Sequence, residues 1–182
     1  MPIVILYYLV LFIIAGFLIT VSIYISGLIY SVFMGAPYVP TQKKHIRDIL
    51  KLAKLKKGQR FLEIGCGDGR VVSEAVHEYK AQGKGIEINP ILITKARLIA
   101  ALRKLETVEF VRADIRKMSF VDYDVIYIFL LPGIIETLKD RIEKDCKKGT
   151  LIICHGFKID GWEKKLEYKR EVKPFYTYYY RL

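Results

Sequence analysis

Residues 63–70, Glu-Ile-Gly-Cys-Gly-Asp-Gly-Arg, place Gly65, Gly67 and Gly69 at alternate positions between a short apolar run and a helical pattern. Glycine in such a loop lets the backbone turn sharply and approach a ligand with no Cβ in the way. The G-x-G-x-G spacing is not that of dinucleotide-binding enzymes, whose third glycine falls one residue later. It also lacks the G-K-[ST] of a phosphate-binding P-loop. Alone, the loop is a weak signal. Glu87 gives it context, because it closes the next apolar run about 20 residues on, where a carboxylate accepts ribose hydroxyls. Asp114 follows the run after that, in Val-Arg-Ala-Asp, at the place of an adenine amino group. Either carboxylate by itself would read as a solvated loop residue.

Strand, glycine loop, helix, strand with terminal Glu, helix, strand, Asp is an ordered set. It fits an adenosine that carries an amino-acid moiety instead of phosphates, and so points to S-adenosylmethionine. The candidate cofactor residues are Glu63, Gly65, Gly67, Asp68, Gly69, Glu87, Ile88, Asn89, Asp114, Ile115, Phe129 and Leu130, to which the resemblance described below adds Thr41. Metal chemistry has no support: Cys66, Cys146 and Cys154 show neither C-x-x-C nor histidine-paired spacing, and read as reduced thiols.

The elements that must position these residues follow from periodicity. Ile46, Ile49, Leu50 and Ala53 recur at helical spacing after Thr41, a candidate cap, and Gly58 ends that helix. Strands are predicted at 60–64, 83–88, 107–111, 124–130 and 150–154. Helices are predicted at 70–79, at 90–105 behind the Asn89-Pro90 cap, and at 132–146. Leu166–Lys173 and Phe175–Leu182 are β-type runs separated by Pro174 alone, too short a link for a parallel crossover, so they must pair antiparallel at the sheet edge. Tyr176, Tyr178, Tyr179 and Tyr180 serve that packing. The fold class is α/β, a Rossmann-like doubly wound seven-stranded sheet with a C-terminal antiparallel hairpin, preceded by one transmembrane helix.

That helix is read from charge. The chain of 182 residues carries a net charge of +11, yet no Asp, Glu, Lys, Arg or His occurs from Met1 to Gln42. Ile3–Phe33 exceeds the roughly 20 apolar residues that span a bilayer. It lacks the basic n-region and short apolar core of a cleaved signal peptide. Ser22/Ser26 and Gly27/Ser31 are small-xxx-small pairs, read as ordinary membrane-helix composition. Pro37 and Pro40 stop the helix, dividing the chain into an anchor, 1–36, and a domain, 37–182. Lys43, Lys44, Arg47 and Lys51 follow it, so the domain is expected in the cytoplasm and the N-terminus outside. The same cations suit an anionic lipid surface.

Several segments together resemble one family. They are Tyr38-Val39-Pro40-Thr41, the loop 63–70, Gly85-x-Glu87-x-Asn89, Phe129-Leu130-Leu131, and 149–162 (G-T-L-I-I-C-H-G-F-K-I-D-G-W). The chain is similar to the small archaeal protein-lysine methyltransferases and their mitochondrial membrane-anchored relatives, within the class I S-adenosylmethionine-dependent methyltransferases. The resemblance runs from Pro37 to Trp162. It implies that Tyr38 and Thr41 pack over the cofactor pocket and that Phe129 and Leu130 border the transferred methyl group, where plain core residues are the alternative. Tyr38 and Phe129 are the candidate catalytic residues. His155 and Trp162 are candidate pocket walls, although a buried structural histidine is the plainer reading of His155. Leu131-Pro132 stands where amide, adenine and glutamine methyltransferases carry N-P-P-F-type motifs, which argues against those substrates. The implied partner is a lysine on a membrane-associated protein. A small-molecule or lipid methyltransferase is the alternative. The net charge suggests RNA, but the domain has no room for a separate recognition module, so nucleic acid is not the expected partner.

Overall fold

A computed structural model describes residues 2–33 and 37–182. The expected boundary at 36/37 falls against residues 34–36, outside the described residues. Helix α1 (Pro2–Phe33) is the one described helix long and apolar enough to cross a membrane. Its apolar side chains are exposed along most of its length, and among its residues only Ser31 is buried. Its last two turns, at Gly27 and Ser31, pack against the domain.

The domain runs α2 (Lys43–Leu52), β1 (Arg60–Ile64), α3 (Arg70–Tyr79), β2 (Gln82–Glu87), α4 (Pro90–Leu102), β3 (Val108–Arg112), β4 (Val125–Ile128), α5 (Pro132–Asp145), β5 (Leu151–His155), β6 (Leu166–Arg170) and β7 (Thr177–Arg181). The seven strands lie in the order β3-β2-β1-β4-β5-β7-β6. β1 to β5 are parallel to their neighbours in that series, and β7 pairs antiparallel with both β5 and β6.

Alternation along the strands makes two cores. Phe61, Val125, Tyr127 and Ile153 face α2, α3 and α4. Leu62, Ile64, Ile126, Ile128 and Ile152 face α5. Each such fully buried side chain contributes roughly 1.5–3 kcal/mol of burial free energy. Buried Glu74 ties the first core together: Arg47 of α2 (2.8 Å), Arg103 after α4 (3.3 Å) and Lys43 (3.9 Å) converge on it.

Four local expectations change. Thr41 does not cap α2. Gln42 takes that place without a side-chain bond, while Thr41 is buried and its carbonyl accepts from Arg70 Nη1 at 3.1 Å. α2 stops at Leu52, and Gly58 instead serves the turn into β1. α4 ends at Leu102 rather than 105, with Lys104 in a left-handed turn. The terminal strands are shorter than their β-type runs, because residues 171–176 leave the ladder and Phe175 turns towards the site. Tyr179 and Tyr180 do pack on the sheet: their hydroxyls donate to the Ile49 carbonyl (3.1 Å) and accept from the Ile159 N–H (2.9 Å).

Candidate functional site

Strand order reverses between β1 and β4, so a crevice opens beyond the C-terminal ends of these two strands. A cavity of about 460 Å³ occupies it, within the range of small-molecule sites. The loop after β1 forms its floor. Gly67 lies at φ +55°, and a Cβ there would sit 2.9 Å from Tyr38 Cε2, so only glycine admits the chain that crosses above. The Gly67 N–H donates to Glu87 Oε2 at 2.9 Å. Glu87 Oε1 accepts from the N–H groups of Ile88 (3.0 Å) and Asn89 (2.9 Å). Three backbone donors therefore fix one buried carboxylate at the end of β2. Glu63 accepts from the Val72 N–H at 2.8 Å, and burial pushes its carboxyl well above the usual range.

Residues 37–41 form the roof, and Arg70 latches it. Its guanidinium grips Asp68 through two bonds (2.8 and 2.7 Å), donates to the Tyr38 hydroxyl at 3.1 Å and reaches the Thr41 carbonyl. Burial alone would raise the Asp68 carboxyl. The hydrogen bonds from Arg70 and Tyr38, with Lys95 at 3.3 Å, overcome it and hold Asp68 at about 2. Burial and the Asp68 charge push the Tyr38 hydroxyl up to about 12, so it stays protonated.

One wall of the cavity is aromatic. Phe129, after β4, meets Phe175 and His155 edge-on at ring separations of 5.1 and 4.6 Å. Behind them lies a second cavity of about 90 Å³ that shares Pro40, Thr41, Phe129 and Phe175 with the first. His155 lines it, with Nδ1 2.8 Å from Thr177 Oγ1. Burial, then the charges of Arg170 and His45, lower its pKa to about 4, so the ring is neutral near pH 7.

The crevice gathers most of the sequence candidates: Tyr38, Thr41, Glu63, Gly65, Gly67, Asp68, Glu87, Ile88, Asp114, Ile115, Phe129 and Leu130 all line the main cavity. Four candidates lie elsewhere, His155 among them on the wall of the second cavity. Gly69 sits beneath the loop against Phe110 and Ala96. Asn89 caps α4 and bonds to α1. Trp162 is buried in the second core against Tyr180. Asp114 holds Arg116 through both oxygens. Within the cavity Tyr38 is a roof, its hydroxyl committed to Arg70 and Asp68. Sequence reasoning missed Tyr127, Phe157, Phe175, Ser31 and Phe33. Alternation could have found Tyr127, which shares a strand face with Phe129. Nothing local marks the others.

Residues 63–166 match the ANTKMT methyltransferase domain. The chain belongs to that family. The protein-lysine N-methyltransferase of Saccharolobus islandicus (strain REY15A) is 36% identical over 135 residues, 71% of this chain and 81% of the relative. The adenine nucleotide translocase lysine N-methyltransferase of Mus musculus is 28% identical over 131 residues; the match spans 71% of this chain but 57% of that longer protein. Among solved structures, an RNA methyltransferase from Salinibacter ruber in complex with S-adenosyl-L-homocysteine superposes with a TM-score of 0.75 at 28% identity, covering 79% of this chain and 93% of that one. The methyltransferase is thus a class I enzyme and S-adenosylmethionine is its cofactor. Its cavity suits that molecule. The glycine loop lets Tyr38 and Leu130 close directly onto its backbone, where any side chain would push these cavity walls away. The Tyr127 hydroxyl, buried on the cavity wall, has Thr41 beside it but makes no hydrogen bond of good geometry among the described residues, and buried polar atoms ordinarily make one.

Proposed function

We propose that this methyltransferase modifies the ε-amine of a lysine on a membrane-associated protein. One observation carries the reading: the cofactor cavity is walled by Phe129, Phe157 and Phe175 on the domain and by Ser31 and Phe33 at the end of the apolar helix. The names of the curated relatives support the lysine acceptor.

S-adenosylmethionine supplies, when bound, a methyl carbon activated by the adjacent positive sulfur. Glu87 would accept from the ribose, Ile88 and Ile115 would flank the adenosine, and Asp114 would face its amino group. Thr41, Glu63, Gly65 and Gly67, with the Tyr127 hydroxyl, would hold the amino-acid end. A lysine acceptor must reach the site as a neutral amine, and its ordinary pKa near 10.4 falls when the ammonium is desolvated. The phenylalanine wall offers the amine an apolar surface that strips such water, and neutral His155 behind it adds no charge. Each carboxylate lining the cavity is already hydrogen-bonded within the protein: Glu63, Asp68, Glu87 and Asp114. The chain therefore contributes alignment and desolvation rather than a strong base.

On this reading residues 1–36 anchor the domain 37–182, which faces the cytoplasm. Lys44 and Lys51 are exposed and available to anionic head groups, whereas Lys43 and Arg47 are drawn to Glu74. Two features favour a second reading, RNA: the net charge of +11 and the printed name of the Salinibacter ruber relative. Incubating the enzyme and labelled cofactor with membranes containing protein, lipid and RNA separates the classes. Label in tryptic lysines is the expected result. Label confined to RNA or to lipid would overturn the proposal.

A further inference from the structure

The apolar helix is bonded into the cofactor cavity through one residue. Asn89 is fully buried, and all four of its polar groups are engaged. Its Nδ2 donates to the Gly27 carbonyl and to Ser31 Oγ of α1, both at 2.7 Å. Its Oδ1 accepts from the N–H groups of Ile91 (2.9 Å) and Leu92 (3.3 Å), capping α4. Its carbonyl accepts from the Ile93 N–H at 3.0 Å. Its own N–H donates to Glu87 Oε1 at 2.9 Å.

Steric fit points the same way. A Cβ on Gly27 would lie 2.4 Å from Ile91 Cδ1, so α1 crosses the first turn of α4 where it carries no side chain. Ser31, one turn on, is buried between Asn89 and the cavity, and Phe33 completes that wall.

We infer that docking of α1 on Asn89 sets the cofactor site, so that Asn89 is a positioning residue and the helix is a structural part of the pocket as well as a tether. The inference rests on Glu87 being the ribose carboxylate. Two of the three donors that orient Glu87 belong to Ile88 and Asn89, in the peptide just ahead of α4. That peptide is held on its far side by the Asn89 amide. With α1 displaced, the amide loses both acceptors and the cavity loses a wall. A buried donor without an acceptor is strongly disfavoured, so the Asn89 peptide must move to find water, and Glu87 moves with it.

The test uses the full chain in lipid nanodiscs, with S-adenosylhomocysteine as the titrant in calorimetry. Gly27→Leu wedges α1 from α4: an Ile91 methyl can rotate away from one added carbon but not from an isobutyl group. Asn89→Asp keeps an acceptor for the α4 cap while it removes both donors to α1, so it serves if the leucine variant folds poorly. Gly16→Leu is the control, since a Cβ there meets nothing within 4 Å. The expected result is at least tenfold weaker binding for both docking variants, about 1.4 kcal/mol. Binding by Gly16→Leu should stay within about twofold. Turnover at saturating cofactor should be nearly retained, so that the defect falls on the cofactor KM. Wild-type affinity in both docking variants, or equal weakening by Gly16→Leu, would overturn the inference. No binding by the unaltered chain would instead strike the cofactor reading itself.

Discussion

Replacing Glu87 by glutamine changes almost nothing in size and tests the organisation of the site directly. The carboxylate accepts the Gly67 N–H on one oxygen and the Ile88 and Asn89 N–H groups on the other. A glutamine has one oxygen. The arrangement that loses least keeps it on Ile88 and Asn89 and turns the amide NH2 towards Gly67, donor against donor. One charge-assisted bond to a buried N–H is then lost, about 1.5–3 kcal/mol. For a chain of this size that lowers the melting temperature by roughly 3–12 °C. The cofactor also loses, because the remaining oxygen is already occupied and the ribose hydroxyls meet a donor. The one remaining bond to a charged acceptor becomes unavailable to it, which corresponds to roughly 10- to 100-fold in affinity. Calorimetry with S-adenosylhomocysteine and thermal unfolding of the cofactor-free protein measure the two effects separately. Glu136→Gln, an exposed carboxylate on α5, controls for loss of a negative charge. Binding within threefold of wild type with an unchanged melting temperature would refute the reasoning.

Gly67→Val should abolish cofactor binding, since a side chain there collides with the Tyr38 ring and a β-branched residue is strained at φ +55°; equilibrium dialysis with labelled cofactor reads it. Phe175→Ala should raise KM for a lysine peptide severalfold and leave cofactor affinity within about twofold, as steady-state kinetics in both substrates will show. Stability should fall in acid through His155, whose folded pKa of about 4 lies below its unfolded value of 6.5. Above pH 6.5 both states are neutral there. Between 6.5 and 4 only the unfolded chain takes the proton, and stability drops by at most about 3 kcal/mol. His155→Asn should flatten that part of the melting profile, and an identical slope in both proteins would exclude the assignment.

The βα alternation, the glycine loop and the carboxylate ending β2 were legible because each is a local property of the chain: strand runs, a cap at Asn89-Pro90, and glycines where a side chain cannot fit. The hairpin was legible as a pairing but not in length. β6 and β7 stop short of residues 171–176, where Phe175 packs edge-on against Phe129, a contact between distant segments that no β-type run records. Thr41 shows how a local preference is overridden. Its side chain suits a helix cap, yet the Arg70 latch draws residues 37–41 over the loop, and both Arg70 and Asp68 lie far along the chain from them.

The sequence by itself determined the order of elements, the cofactor loop and an apolar helix able to span a bilayer, because composition and period act over a few residues at a time. Only the tertiary structure decided what that helix is joined to. Gly27 and Ser31 look like ordinary small residues in a membrane span. They become a docking surface because folding brings the Asn89 amide, some sixty positions away, against a helix backbone with no side chain in between. A hydrogen bond of that kind depends on where two distant segments come to lie, and no spacing within either segment records it.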